Sequence, residues 1–355
     1  MQLKTMTLRE KVGQLFCIRP DALDGTFSNA DLNDHSAAGV TALSQRMRDT
    51  YRDYPCGGFA LFQKNLESPD RLTQFTQDLH AVGRIPSFIA IDEEGGRVAR
   101  LGNHPGFHVP TFSPMGTLAR GGNPKSAYIA GASIGKYLAS FGIDLDFAPV
   151  ADVNTNPANP VIGDRAFGDN PAIASDFVVQ FLKGLHARGV AGCLKHFPGH
   201  GDTSTDTHTG YAETGKTWEE MRSCEMLPFL AGIENGADMI MTAHIAAPSV
   251  TGSEEPSTVS YTMLTEKLRG ELGYDGLIIT DALCMGAITR AYDSAQACIL
   301  CLQAGCDILL MPYDYRTAFD GVVDAVEKGI LSEDRIDESV RRVLAFKEAR
   351  REVQP

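Results

Sequence analysis

Eight short apolar segments, each followed by at least one segment with helical periodicity, constrain the fold of this 355-residue chain more than any other feature. The segments are apolar on both faces and do not alternate with polar residues, which is typical of buried parallel strands. They comprise residues 12–18, 57–62, 87–92, 144–153, 190–197, 237–244, 276–283 and 306–312. Parallel strands joined through helices cross over right-handedly, so the pattern leaves two architectures: a closed barrel or an open, doubly wound sheet.

The number of strands and the position of the polar residues favour the barrel. Polar residues gather directly after the apolar segments, and (β/α)8 barrels build their sites at the carboxyl ends of their strands. No linker rich in Pro, Ser or Gly divides the chain. We therefore predict an α/β fold in which residues 1–355 form a single-domain (β/α)8 TIM-type barrel, with residues 21–54 as an insertion between the first two strands.

The charge of the chain narrows the classes of partner. The formal net charge is −13 at pH 7, and the isoelectric point is near 5.1. Nucleic acid and anionic membrane surfaces would both be repelled, so we expect a small-molecule partner and neither of these. No segment approaches the roughly 20 apolar residues that span a bilayer, and the first 20 residues lack the apolar core of an export signal. These features predict a cytoplasmic protein, and they leave the oligomeric state unknown.

The eight cysteines do not suggest a disulfide framework, because their spacing is scattered along a long chain. Cys298, Cys301 and Cys306 are close enough in sequence to resemble a metal-binding cluster. The residues around them, however, predict a helix that runs into a buried strand. We therefore expect neither a metal nor another cofactor.

Polar residues follow five successive strands of the predicted barrel. They are Asp92 and Arg100 after the third strand, Asp152 and Arg165 after the fourth, Lys195 and His196 after the fifth, His244 after the sixth and Asp281 after the seventh. Such a ring of donors and acceptors suits a polyhydroxylated ligand. Each residue also has an ordinary structural interpretation: Asp281 as a helix cap, for example, or Asp92 as the support of the Gly-Gly turn that follows it.

The segments IDEEGGRVARL, KHFPGHGDTSTDTHTG and TDALCMGAI resemble motifs of glycoside hydrolase family 3, specifically its single-domain β-N-acetylhexosaminidases. The resemblance covers nearly the whole chain. It implies a retaining glycosidase that removes terminal β-linked N-acetylglucosamine, with peptidoglycan fragments as the expected source, through a covalent glycosyl-enzyme on Asp281. It also implies that His208 is the acid/base and that Asp206 orients its imidazole.

This dyad is chemically reasonable, since an imidazole that titrates near pH 6.5 both protonates a leaving oxygen and activates water near neutrality. The resemblance further assigns hydroxyl-binding or lining roles to Asp92, Arg100, Arg165, Lys195, His196 and Met285. Two positions depart from the family pattern. Glu93 stands where many relatives have Gln, and the dyad reads Asp-Thr-His where Asp-Ser-His is common.

Three other interpretations remain at this stage. His196, His200, Asp202, Asp206 and His208 are residue types that bind zinc, although the loop lacks a compact ligand spacing. A phosphorylase would form the same covalent intermediate and let phosphate attack it, and a histidine acid/base avoids repelling that dianion. A non-catalytic sugar-binding protein on a barrel is the third alternative. We interpret His200 and Asp202 as loop architecture, and Arg97 as equally suited to a structural ion pair.

Overall fold

The computed structural model describes residues 3–34, 37–203 and 212–351. Eight parallel strands form the central sheet, and we number them β1 to β8 in chain order. Their bounds are Phe16–Ile18, Gly58–Leu61, Phe88–Ile91, Leu145–Asp146, Ala191–Phe197, Met239–Thr242, Leu277–Thr280 and Leu309–Leu310. Among the described residues, no helix is both long enough and apolar enough to cross a membrane.

The strands pair in sequence order around the whole sheet, from β1 with β2 through to β6 with β7. β8 pairs with β1, and a parallel bridge between Ile279 and Ile308 joins β7 to the start of β8. The sheet is therefore closed, and the chain is a single-domain (β/α)8 barrel, as predicted.

Helices surround this barrel. We number them α1 to α15: Leu8–Gln14, Asn29–Asn33, Gln45–Asp53, Pro69–His80, Met115–Ala119, Lys125–Ser140, Pro171–His186, Trp218–Ser223, Met226–Glu234, Pro248–Thr251, Thr262–Glu271, Gly286–Thr289, Ser294–Ala304, Tyr315–Glu327 and Glu333–Arg351. The helix α11, Thr262–Glu271, has π-type hydrogen bonding. Short 3-10 turns cover Leu3–Thr5, Pro20–Leu23, Gln63–Asn65, Gly163–Arg165 and Ser257–Val259.

The predicted start of the first strand, at residue 12, is wrong. Residues 12–14 belong to α1, which a capping box of Thr7 and Glu10 initiates, and β1 covers only Phe16–Ile18. A short apolar run does not distinguish a buried helix end from a buried strand, and here the cap decides. The segment 21–54 contains α2 and α3, and α3 lies between β1 and β2 in the repeating strand and helix order.

Two apolar layers fill the structure. One lies inside the barrel and includes Phe88, Cys193 and Ile279. The other lies between the strands and the surrounding helices, where Phe177 and Phe319 are buried. Alternate residues of each strand point to opposite faces, which is why continuous apolar runs serve both layers. Cys298 and Cys301 lie on α13 just before β8, so the predicted helix-to-strand passage is confirmed.

Candidate active site

A pocket of about 360 Å³ opens at the carboxyl end of the barrel. Apolar side chains from inside the barrel, including Met241 and Leu310, contribute to its lining. Seven residues that the sequence assigned to the site also line it: Asp92, Arg100, Arg165, Lys195, His196, Asp281 and Met285. The carboxyl ends of parallel strands meet at one edge, so residues far apart in sequence converge there.

Lys195 joins two carboxylates in the pocket wall. Its ammonium lies 2.9 Å from Asp92 Oδ1 and 2.6 Å from Glu94 Oε1. Asp92 also accepts a hydrogen bond from Arg100 Nη2 at 2.9 Å. Burial alone would raise the pKa of the Asp92 carboxyl, but the charges of Lys195 and Arg100 outweigh it and hold that pKa well below its usual range. Asp92 is therefore ionised throughout the physiological range.

Arg165, which lies in the turn Gly163–Arg165 after β4, forms a bidentate ion pair with Glu94. Its Nε and Nη2 lie 2.9 and 2.7 Å from the two carboxylate oxygens, which is the bidentate geometry that a guanidinium favours. Burial favours the neutral acid, yet Arg165 and Lys195 lower the pKa of Glu94 to about 2. The pocket wall is thus a network of alternating charges fixed in place before any ligand binds.

Sequence reasoning missed Glu94, although a simple signal was present. Residues two apart on an extended chain share a face, and Asp92 and Glu94 both line the pocket. Glu93 faces the other way, where it accepts hydrogen bonds from the backbone of Leu101 and Gly102 and from the Tyr137 hydroxyl. The departure from Gln at position 93 therefore lies outside the pocket lining.

Asp152 does not line the pocket, but it forms hydrogen bonds with two histidines that do. It accepts a bond from His196 Nδ1 at 2.7 Å and another from the His200 backbone N–H at 2.6 Å. His196 therefore carries its proton on Nδ1 when it is neutral, and its Nε2 lies 3.5 Å from Arg165 Nη2. The Lys195–His196 peptide bond is cis.

His200 lines the pocket as well, which its interpretation as loop architecture did not anticipate. Its Nδ1 lies 2.7 Å from Thr203 Oγ1, and the Thr203 hydroxyl donates its own proton to the His200 carbonyl. Nδ1 is therefore the donor, and the buried Nε2 has no partner among the described residues. Burial and the neighbouring His196 lower the pKa of His200, so its ring remains a neutral acceptor near pH 7.

Asp281 directly follows β7, and its carboxylate faces the pocket. Oδ1 accepts a hydrogen bond from the Ala282 N–H at 2.7 Å, and Oδ2 has no donor within residues 3–34, 37–203 and 212–351. Burial would raise the pKa of this carboxyl, but His244, His196 and the Ala282 N–H lower it below its ordinary value. The group is ionised near neutrality, as a nucleophile requires.

His244 and Arg97, like Glu93, Asp152 and Asp202, are not part of the pocket lining. His244 lies 2.9 Å from Thr258 Oγ1 and 3.0 Å from the Ala282 carbonyl, so it fixes the turn that carries Asp281. Arg97 is exposed and donates to the Val161 carbonyl. Among the described residues, no three metal-ligating side chains are arranged to hold a metal ion.

Asp206 and His208 lie outside the described residues, so their predicted roles rest on the sequence. The chain that leads to them is anchored. Asn159 Nδ2 donates to the Thr203 carbonyl at 2.8 Å, and a Cβ on Gly201 would lie 2.0 Å from the Val153 carbonyl oxygen. Only glycine fits so close to another backbone.

We predict that the unfolding free energy of Glu94→Gln falls less steeply with decreasing pH than that of the unmodified chain. Glu94 has a pKa of about 2 in the folded chain against an ordinary 4.5, so its contribution is present above about pH 4.5 and is lost as pH falls towards 2. Removing the charge leaves Lys195 and Arg165 undercompensated and should cost about 3 kcal/mol of unfolding free energy at pH 7. Denaturant melts of both proteins from pH 7 to 2 should converge on acidification; a pH-independent difference would contradict the prediction.

The closed parallel barrel has a charged pocket at the carboxyl ends of its strands, which is where (β/α)8-barrel enzymes have their active sites. The sequence profile described as the glycosyl hydrolase family 3 N terminal domain matches residues 7–346. The chain belongs to glycosyl hydrolase family 3, which confirms the family expected from its motifs.

Individual relatives agree with this assignment. The chain is 35% identical over 336 residues to a protein named beta-hexosaminidase A from Pseudoalteromonas piscicida, with 87% of this chain and 56% of that protein covered. It is also 35% identical over 280 residues to a beta-hexosaminidase of Xanthomonas euvesicatoria pv. vesicatoria (strain 85-10). That alignment covers 76% of this chain and 80% of the relative.

A solved structure titled as a glycoside hydrolase family 3 beta-N-acetylglucosaminidase, from Paenibacillus sp. str. FPU-7, superposes with a TM-score of 0.89 at 35% identity. It covers 98% of this chain and 63% of that one. The chain thus spans less than two thirds of the length of the Pseudoalteromonas relative and of the Paenibacillus structure.

Proposed function

We propose that the chain is a retaining exo-β-N-acetylglucosaminidase. The observation that carries this proposal is the ionised Asp281 carboxylate in the same pocket as a preformed network of hydrogen-bonding charges. Asp281 attacks the anomeric carbon of a terminal β-linked N-acetylglucosamine and forms a glycosyl-enzyme. The names of the hexosaminidase relatives support the choice of sugar.

In this proposal the charged wall binds the sugar. Asp92 accepts hydrogen bonds from hydroxyl groups, while Arg100, Arg165 and Lys195 donate to their oxygens, and His196 and Met285 complete the lining. Because Lys195 and the two arginines are held by Asp92 and Glu94 before binding, little side-chain entropy is lost when the sugar enters. His208 protonates the departing oxygen and then deprotonates the incoming water, with Asp206 as its partner.

Hydrolysis of 4-nitrophenyl β-glycosides that differ at C2 tests the choice of sugar. We expect the N-acetylglucosaminide to be turned over with a kcat/KM at least tenfold above that of the glucoside or xyloside. A preference for the glucoside would contradict the proposed specificity. Binding of N-acetylglucosamine without turnover of any glycoside would indicate a sugar-binding protein instead.

The reaction products distinguish hydrolysis from phosphorolysis. With an N-acetylglucosaminide in phosphate buffer and in phosphate-free buffer, we expect the free sugar and the same rate in both. Sugar 1-phosphate as the main product would assign the chain as a phosphorylase, which uses the same covalent intermediate.

His208→Ala should slow substrates with poor leaving groups far more than activated aryl glycosides, since a good leaving group needs little protonation. The measurement is kcat/KM for the variant on 4-nitrophenyl N-acetylglucosaminide and on chitobiose, each relative to the unmodified chain. Equal losses on both substrates would contradict the proton-donor role.

We further propose cytoplasmic processing of peptidoglycan fragments that carry a terminal N-acetylglucosamine. All eight cysteines are free, which suits a reducing compartment. Release of N-acetylglucosamine from purified peptidoglycan fragments, compared with release from chitin oligosaccharides, tests the substrate source.

A further inference from the structure

Two arginines lie against one phenylalanine on the β1 to β3 side of the pocket. The guanidinium of Arg19 is 4.7 Å from the centre of the Phe62 ring, and that of Arg100 is 5.2 Å from it. Arg19 directly follows β1 and Phe62 directly follows β2, and all three residues line the pocket. The proposed function assigns no role to Arg19.

Arg19 is buried and poorly satisfied. Its side chain belongs to a residue that is only 5% exposed, and Nη1 lies 3.4 Å from Asn33 Oδ1, a long hydrogen bond. Its Nε has no partner among the described residues, and neither has the Nε of Arg100. Buried N–H groups are rarely left unpaired, so the Arg19 side chain makes fewer hydrogen bonds than its donors allow.

The charge of Arg19 is also unbalanced. Besides Phe62 and Asn33, the Cys284 thiol interacts with Arg19, and burial raises the pKa of that thiol, so it stays neutral. Asp21 is nearby, but its two oxygens accept bonds from the Val40 N–H and from Asn65 Nδ2, both at 2.9 Å. Within the described parts of the chain, no carboxylate lies within 4 Å of the Arg19 guanidinium.

Arg100 differs in this respect because it pairs with Asp92 at 2.9 Å. The described pocket lining as a whole contains four permanently cationic side chains and three carboxylates: Arg19, Arg100, Arg165 and Lys195 against Asp92, Glu94 and Asp281. Arg100, Arg165 and Lys195 each pair with Asp92 or Glu94, whereas Arg19 has no such partner among the described residues. Burying an unpaired charge is unfavourable, and a bound anion would remove that cost.

We propose that Arg19, beside Arg100, binds an anionic substituent on the terminal sugar of the substrate, a phosphate or sulfate ester at C6. The identity of the sugar rests on the proposed function. The substituent belongs to the glycone because Arg19 shares the Phe62 ring with Arg100, which pairs with Asp92 of the proposed sugar-binding wall, whereas the proposed acid/base at the leaving group follows β5. C6 lies outside the sugar ring, so an ester on its hydroxyl extends farther from the ring than an ester on a ring hydroxyl.

Calorimetric binding tests this without requiring turnover. N-acetylglucosamine and its 6-phosphate and 6-sulfate are titrated into the unmodified chain, into Arg19→Met and into Arg97→Met, a matched loss of a guanidinium outside the pocket lining. We expect both esters to bind at least tenfold more tightly than the neutral sugar, which corresponds to about 1.4 kcal/mol. Arg19→Met should reduce that ratio to below about twofold, while Arg97→Met should keep it.

The inference is wrong if the neutral sugar binds as tightly as the esters, if none of the three binds, or if both variants keep the same ratio. The ratio for the unmodified chain decides the matter even if Arg19→Met does not fold. A preference for only one ester identifies phosphate or sulfate as the anion that Arg19 binds. Hydrolysis of the corresponding 4-nitrophenyl glycosides is measured in parallel, because a lack of turnover with intact ester binding contradicts the proposed function alone.

Discussion

Replacing Asp281 with Ala is expected to lower kcat for 4-nitrophenyl N-acetylglucosaminide by at least about 10³-fold, since removal of a covalent nucleophile leaves only binding and proton transfer. The fold should survive. In the described structure the carboxylate of Asp281 accepts one hydrogen bond, from the adjacent Ala282 N–H, so its removal breaks only that bond. We expect the thermal midpoint to change by only a few degrees.

Azide provides a positive test of the same assignment. In the Ala variant the missing carboxylate leaves space beside the anomeric carbon, and azide can attack there in a single displacement. A β-glycoside then yields the α-glycosyl azide, which proton NMR identifies. Asp164→Ala is the matched control, because Asp164 is exposed next to Arg165 and does not line the pocket. Retained activity in Asp281→Ala would mean that the nucleophile is another residue.

Replacing Lys195 with Met should reduce both stability and activity. The Lys195 side chain is 3% exposed and bridges Asp92 and Glu94. The change leaves these two carboxylates without the cation that they share. We expect a loss of about 3–5 kcal/mol of unfolding free energy, as for other broken buried ion pairs. We expect kcat/KM to fall by at least about 100-fold, because the proposed charged hydrogen bond to the sugar is lost and Asp92 is released.

Lys11→Met is the control for this experiment. Lys11 also bridges two carboxylates, Glu333 at 2.8 Å and Asp337 at 2.7 Å, but it lies on α1 ahead of β1 and does not line the pocket. Denaturant melts should show that Lys11→Met is destabilised. Kinetic assays should show that its kcat/KM is unchanged within about twofold. A Lys195→Met protein that is folded and within tenfold of full activity would show that the lysine does not bind substrate.

One property of parallel barrels allowed the sequence to predict which residues come together at one pocket. All strands end at the same edge, so a polar residue directly after an apolar run is a good candidate. Asp92, Lys195 and Asp281 were found in this way and all line the pocket. Arg19 satisfies the same criterion, since it directly follows β1, and it was overlooked because no motif marks it.

Other side chains could not be placed from the sequence. His244 follows β6 by two residues, yet its ring bonds to the turn after β7 and contributes nothing to the pocket lining. His200 shows the opposite case, since it follows a Gly-rich turn and still reaches the pocket. The direction of a side chain beyond a strand end depends on turns that periodicity does not describe.

The sequence by itself determined the barrel and the family, because hydrophobic periodicity and local motifs are properties of neighbouring residues. Only the tertiary structure decided which charges are paired. Lys195 and Asp92 are 103 residues apart in sequence, and they meet because β3 and β5 end at the same face of the barrel. The same folding places Arg19 in the pocket with no carboxylate within reach among the described residues, since the partner of a buried charge is set by which strand ends lie side by side.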